Sequence, residues 1–336
     1  MRKKKFQKQV IAVGITAVAG LALGGCASSG TMTETDGGQG EADDPIRVAF
    51  IPGISSDPFF RAMEIAATAE AAELGIELIW QGASDAYSPQ AQLPFVDAAL
   101  ADDIDALVLV PTDADALQPS VARATGMGIP VVTVDTSVTD RSELVAHITG
   151  DNVDGGSRAA EELSDQIGGE GTVLVISASP TNTTGTQRVE GFEATLASDH
   201  PGLEMLPVQY AYSQPSEATT ILNTTLLEYP DLAGVFAVDG TSCTGAIAAL
   251  NNADMVGEVS LICYDAYAAQ VAELEAGSIS GLIAQDPAQE ARLALQYALA
   301  AVTGEGADAI ESEVVIPNVV MNLDNLAETR EYEYAE

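Results

Sequence analysis

The sequence predicts an α/β fold of two doubly wound parallel-sheet lobes. Three observations carry that expectation. Short apolar runs alternate with stripes at steps of three and four along most of the chain, the pattern of repeated βα units. Roughly ten strands are many for one sheet of this class, so the chain divides near residues 149–152 into two cores. With 336 residues it is long enough to fill both. Several strands also end in an aspartate, at the carboxyl edge where open α/β sheets gather ligands.

The first unit is the clearest. Ile46, Val48, Ala49, Phe50 and Ile51 make a buried strand, and Pro52, Gly53, Ser55 and Ser56 mark the turn after it. Asp57 before Pro58 reads as an N-cap followed by the first helical residue. Phe60, Met63, Ala67, Ala71 and Leu74 then recur at helical spacing. Phe60 opens that stripe, which leaves Phe59 free to face something else. Further strands are expected at 76–80, 106–110, 130–134, 144–149, 173–177, 204–210, 234–238, 260–264, 279–284 and 313–321. The helices between them cover 89–100, 114–127, 153–167, 187–197, 217–227, 244–251, 268–274 and 288–302, with Gly168 and Gly169 stopping the third.

The amino end is a separate matter. Arg2, Lys3, Lys4, Lys5 and Lys8 precede an apolar run over 10–23, and Leu23, Gly24, Gly25 and Cys26 follow. A basic start, a short apolar run and small residues make a secretory signal over residues 1–25. Its roughly 14 apolar residues are too few to span a bilayer comfortably. The ending resembles a bacterial lipobox, which implies cleavage before Cys26 and a diacylglyceryl group on its sulfur. An ordinary signal with a chance cysteine is the plainer alternative. Residues 26–44, rich in Ser, Thr, Gly and acids, read as a flexible tether.

Composition excludes much. The formal charge is −37, and losing the signal would remove five cations and no acid. Phosphate would be repelled, so nucleic acid is not a partner. All four lysines lie in the signal, which removes P-loop, Schiff-base and pyridoxal chemistry. Two histidines, and two cysteines besides Cys26, are too few for a usual zinc site. No cofactor and no metal are expected.

What remains is carboxylates. Asp135, Asp239 and Asp265 each follow a strand, and Asp57 and Asp113 hold comparable positions. Each has an alternative reading as the cap of the next helix, and Asp113 is taken as one. Aspartates along the facing edges of two lobes would line a cleft and accept hydrogen bonds from hydroxyl groups, about 1.5–3 kcal/mol each when charge-assisted.

With these residues in place the chain resembles the type I periplasmic sugar-binding proteins, the ribose-binding class of ABC-transporter solute receptors, from about residue 46 to 321. The motifs are Asp57-Pro58-Phe59-Phe60, Val134-Asp135, the run His147 to Asn152 with Gly155-Gly156, and Arg188 to Phe192. Phe236 to Asp239, Tyr264-Asp265 and Ala284-Gln285 complete the set. The resemblance implies two Rossmann-like lobes, 45–149 with 286–312 and 150–285 with 313–330, joined by a three-segment hinge at 149–152, at 285–287 and near 315–319. It also implies a bound sugar and no enzyme activity. It places Asp57, Phe59, Phe60, Asp135, Thr136, Arg188, Asp239, Asp265 and Gln285 at the ligand, with Tyr212 as the second-lobe aromatic. Thr136, Asp239 and Gly240 depart from the ribose pattern and point away from ribose itself.

One guanidinium among four carboxylates favours a neutral monosaccharide or sugar alcohol, whose C–H faces stack on Phe59 and Phe60. A cationic amino sugar or polyamine is the alternative, and a sensory receptor feeding a histidine kinase or chemoreceptor is another. A glycosidase would need two of the cleft aspartates, and no general acid can be identified. The implied partners are a membrane permease and ATPase, with the receptor itself a monomer, exported and lipid-anchored at the outer face of the membrane. Trp80, His147 and His200 read as structural. For Cys243 and Cys263 a disulfide and two buried thiols both stay open.

Overall fold

The computed structural model describes residues 44–335. The signal, Cys26 and nearly all of the tether lie outside the described residues. The first lobe begins with β1 (Arg47–Ile51), α1 (Pro58–Leu74), β2 (Glu77–Trp80) and α2 (Pro89–Ala101). It continues through β3 (Ala106–Leu109), α3 (Gln118–Gly126), β4 (Val131–Val134) and β5 (Ala146–Gly150). The chain then crosses to α4 (Asn152–Ile167), β6 (Gly171–Ser177), α5 (Thr183–Asp199), β7 (Leu203–Met205) and β8 (Gln209–Tyr210). The second lobe goes on with α6 (Pro215–Glu228), β9 (Leu232–Ala237), α7 (Gly240–Ala253), β10 (Ser260–Tyr264), α8 (Ala268–Ala276) and β11 (Gly281–Ala284). After it come α9 (Pro287–Thr303), β12 (Glu313–Ile316), β13 (Val319–Met321) and α10 (Leu326–Thr329).

The first sheet has the order β12-β5-β4-β3-β1-β2, and every pairing in it is parallel. The second runs β13-β11-β10-β9-β6-β7, with β8 also on β6 and β13 alone antiparallel. Helices cover both faces of each, so the strands are apolar on both sides. In β1, Val48 and Phe50 join the core that holds α1, while Ala49 and Ile51 join the one against α2 and α3. The period of two is intact although the run is continuously apolar.

Helices α5 and α7 start a turn earlier than expected, at Thr183 and Gly240, behind the caps Asn182 and Asp239, and three other elements depart for local reasons. The segment 204–210 is two strands, because Pro207 has no N–H to donate to β6. Helix α3 starts at Gln118 rather than 114, since Asp113 turns the chain by accepting from Asp115 and Ala116, and Pro119 sits in the first helical turn. The last extended segment is also two strands. Glu313–Ile316 lies beside β5 in the first sheet, so those residues do not belong to the second lobe as expected. Pro317 ends that ladder, and the chain crosses to pair β13 with β11.

The chain thus passes between the sheets after β5, after β11 and at Asn318. Asn318 Nδ2 donates to the Asp151 carbonyl and to Tyr264 Oη, both at 2.7 Å, tying two crossings to the second lobe. Helices α4 and α5 touch backbone to backbone. A Cβ on Gly156 would sit 1.9 Å from the Arg188 carbonyl oxygen, and one on Gly191 2.0 Å from that of Val153. Only glycine permits this approach, which fixes Arg188 at the cleft.

Candidate functional site

Between the facing carboxyl edges lies a cavity of about 480 Å³. Asp57, Phe59, Phe60, Asp135, Arg188, Asp239, Asp265 and Gln285 all line it. Two expected residues do not. Thr136 is buried with its hydroxyl donated to the Pro111 carbonyl at 2.7 Å, because the turn after Asp135 aims it back into the first lobe. Tyr212 is 58% exposed and borders a separate surface hollow; its backbone N–H is held by Ala178, and its left-handed φ of 52° turns the chain outward.

Asp135 and Asp265 occupy matching places. Each follows the last residue of a strand and adopts a positive φ, 57° and 75°. Each also donates its N–H to the next strand, Asp135 to Ile148 at 2.8 Å and Asp265 to Ile283 at 2.9 Å. Aspartate enters this left-handed region more readily than most residues. The conformation is strained, and such strain gathers at functional sites.

Their side chains differ. Asp265 accepts from Gln285 Nε2 at 2.8 Å, Gly240 N at 3.0 Å and Tyr334 Oη at 3.2 Å. Asp135 accepts from none of the described residues, and its closest cation is Arg188 Nη2 at 3.9 Å. Arg188 itself donates to Asn152 Oδ1, the Val238 carbonyl and Gln285 Oε1 at 2.8–3.0 Å, with its guanidinium 3.6 Å from the Tyr264 ring centroid. Of its five N–H groups two remain for another partner.

Asp57 and Asp239 are both caps as well as cavity residues. Asp57 accepts from Phe59 N at the start of α1, and Asp239 from Ser242 N, Ser242 Oγ and Thr241 Oγ1 at the start of α7. Phe59 is as buried as Phe60. The two rings meet edge to face at 5.1 Å, and Phe59 also packs 5.9 Å from Tyr334.

Burial pushes Asp57 up to about 7, helped by Asp265 and opposed by its donors Tyr267 and Phe59. Burial likewise raises Asp135 to about 7 against the pull of Arg188. Asp265 is raised for the same first reason. Behind them Glu290 on α9 is fully buried, neither oxygen has a partner among the described residues, and burial holds it well above the carboxylate range. His147, bonded to Thr133 at 3.0 Å, is lowered to about 4 by burial and Arg141, and is structural. His200 Nδ1 pairs with the Ser164 hydroxyl at 2.8 Å, and Trp80 packs 4.5 Å from Phe50.

Four residues were not anticipated. Tyr267 reaches across the cleft and donates to both Asp57 oxygens, at 2.7 and 2.8 Å. Asn182 caps α5 and donates to Tyr87 Oη at 3.1 Å, also from lobe to lobe. Tyr334 enters the site from the carboxyl end. An Asn-Thr pair before α5, placed like Asp57 before α1, was a usable signal for Asn182; nothing local marks Tyr334. Cys243 and Cys263 form a disulfide with Cα atoms 5.5 Å apart, joining the first turn of α7 to the end of β10.

A model of the periplasmic binding protein domain matches residues 48–306. The D-ribose/D-allose-binding protein of Pseudomonas aeruginosa is 28% identical over 79% of this chain and 85% of its own. The xylitol-binding protein of Mycolicibacterium smegmatis is 28% identical over 68% of this chain and 65% of its own. An ABC transporter solute-binding protein of Agrobacterium vitis, solved with bound α-D-tagatopyranose, superposes with a TM-score of 0.83 at 32% identity, covering 87% of this chain and all of that one. A family match across most of the folded body, with a solved relative of the same two-lobed form, makes the conclusion direct: the chain belongs to the periplasmic binding proteins, among the solute-binding proteins of ABC transporters.

Proposed function

We propose that this protein is the extracytoplasmic receptor of an ABC importer, closing on one neutral monosaccharide or sugar alcohol between its lobes. The observation that carries the reading is the pair Asp135 and Arg188. A buried carboxylate without a donor faces a guanidinium with two N–H groups to spare. A vicinal diol satisfies both, giving its protons to the carboxylate and its lone pairs to the guanidinium. A cation would answer Asp135 but leave Arg188 repelled. Relatives named for ribose, allose and xylitol, and one solved with tagatose, support the same class.

Binding is reversible closure, not chemistry. No pair of cleft carboxyls has the free acid and free base that hydrolysis needs, because Asp57, Asp239 and Asp265 are taken up by caps and cross-bonds. The first-lobe wall of Phe59 and Phe60 takes the sugar's C–H face. The crossings at 149–152, 285–287 and Asn318 act as the hinge. The closed form is what the membrane permease reads, with the ATPase behind it. A thioether-linked lipid at Cys26 and the tether keep the monomeric receptor near that permease.

The test is calorimetric titration of residues 45–336 with D-ribose, D-allose, xylitol and D-tagatose, alongside amino sugars and polyamines. Micromolar binding of a neutral polyol, about −8 kcal/mol, is expected and should vanish in Asp135→Ala. Binding confined to the amines would overturn the reading.

A further inference from the structure

Tyr267 has three features that belong together. Its hydroxyl is committed to Asp57 of the opposite lobe, through bonds of 2.7 and 2.8 Å to the two oxygens. Its ring takes the space over the start of α7, where a Cβ on Gly240 would fall 2.2 Å from Cζ and 2.5 Å from Oη. Its backbone carbonyl receives the N–H groups of Gln270 and Val271, so the ring stands on the rigid start of α8. Asp57 already caps α1 through Phe59 N at 2.8 Å. One carboxylate lining the cavity is therefore held by two protein donors, Phe59 N–H and the single Tyr267 proton shared between its oxygens.

The cavity is lopsided as a result. At one side Asp135, Arg188 and Gln285 keep hydrogen-bonding capacity. Tyr267, Phe59, Pro58 and Ala269 line the cavity together with Asp57, and the polar Asp239 and Thr241 that also line it are bonded to each other, Asp239 accepting from Ser242 as well. We propose that Tyr267 is a specificity-determining residue: by bonding Asp57 across the cleft it withdraws that carboxylate from the ligand. This end of the site then selects the hydroxyl-poor end of a sugar or polyol, such as a deoxy carbon. The inference rests on the polyol reading above.

The experiment compares dissociation constants for matched pairs, D-galactose with D-fucose, L-mannose with L-rhamnose, and D-ribose with 5-deoxy-D-ribose. Wild type should favour the deoxy member of at least one pair by about tenfold, which is 1.4 kcal/mol. Tyr267→Phe keeps the ring and frees Asp57. It should move that ratio toward the fully hydroxylated member by a similar factor. A role in closure alone would weaken both members equally and leave the ratio unchanged. A ratio unmoved in the variant, or a wild type that prefers the parent sugars, overturns the inference and leaves the polyol reading standing. A wild type that binds none of the six sugars, nor the polyols of the titration above, overturns that reading and this one together.

Discussion

The two lobes place the same residue at the same turn and treat it in opposite ways. Asp135 and Asp265 share a left-handed backbone and an N–H bond to the neighbouring strand. In the second lobe the carboxylate is wired in advance, to Gln285, Gly240 and Tyr334, and Gln285 in turn holds Arg188. A disulfide braces the two strand-to-helix ends that carry Asp239 and Asp265. In the first lobe the carboxylate has no hydrogen-bond donor among the described residues, only Arg188 at 3.9 Å. The difference teaches how such a receptor divides its work. One lobe holds a preorganised donor network whose geometry costs nothing at binding. The other holds an acceptor with no hydrogen-bond donor among the described residues.

Removing Arg188 should break that division most. It serves Asn152, Val238 and Gln285 and is the one cation beside Asp135 and Asp265. Arg188→Ala leaves buried acceptors without donors, so we expect a loss of about 3–5 kcal/mol in unfolding free energy together with undetectable binding. Denaturant titration and calorimetry on the same sample check both. Unchanged stability would mean that the second lobe is not held by this network.

The disulfide comes next. It closes a loop across 20 positions, for which chain entropy predicts about 3 kcal/mol. Cys243→Ala with Cys263→Ala should lower the melting temperature by several degrees and weaken polyol binding, because Asp265 and the α7 start lose their brace. Reduction of the wild type should give the same shift. If binding is untouched while the melting temperature falls, the brace serves folding alone.

How far the sequence could be read follows the same line. Strand ends, helix caps and the aspartates after β4, β9 and β10 were legible because they are local signals, fixed by periodicity and turn chemistry. So were Arg188 and Gln285, through motif resemblance. Tyr267 and Tyr334 were not, because their roles rest on partners 210 and 69 residues away. Tyr212 fits by type and neighbourhood, but it and Ser213 are both left-handed, and Tyr212 stands out of the cleft. The fate of the segment 313–321 depended on Pro317, whose missing N–H decides where one sheet ends and the next begins.

The smallest effect is the sharpest on the contrast itself. Asp135 faces Arg188 on α5, Asp265 at the end of β10 and Glu290 on α9, and burial raises it to about 7 from an ordinary 3.8. A raised carboxylate binds its proton in the folded state while the unfolded chain has already released it. Stability from this group is therefore present at low pH and is lost as pH rises from about 4 to 7. Asparagine tolerates the left-handed turn and carries no proton to lose. Asp135→Asn should accordingly match or exceed wild type in melting temperature. Its advantage should grow between pH 4 and 7 and level off above that. Ligand binding should meanwhile fall at least a hundredfold at pH 7. Asp265→Asn makes the opposite pairing: burial raises Asp265 as well, but Gln285, Gly240 and Tyr334 all donate to it, and an amide would leave donors unanswered. It should lose stability at every pH, and a stabilised Asp265→Asn would erase the distinction between the lobes.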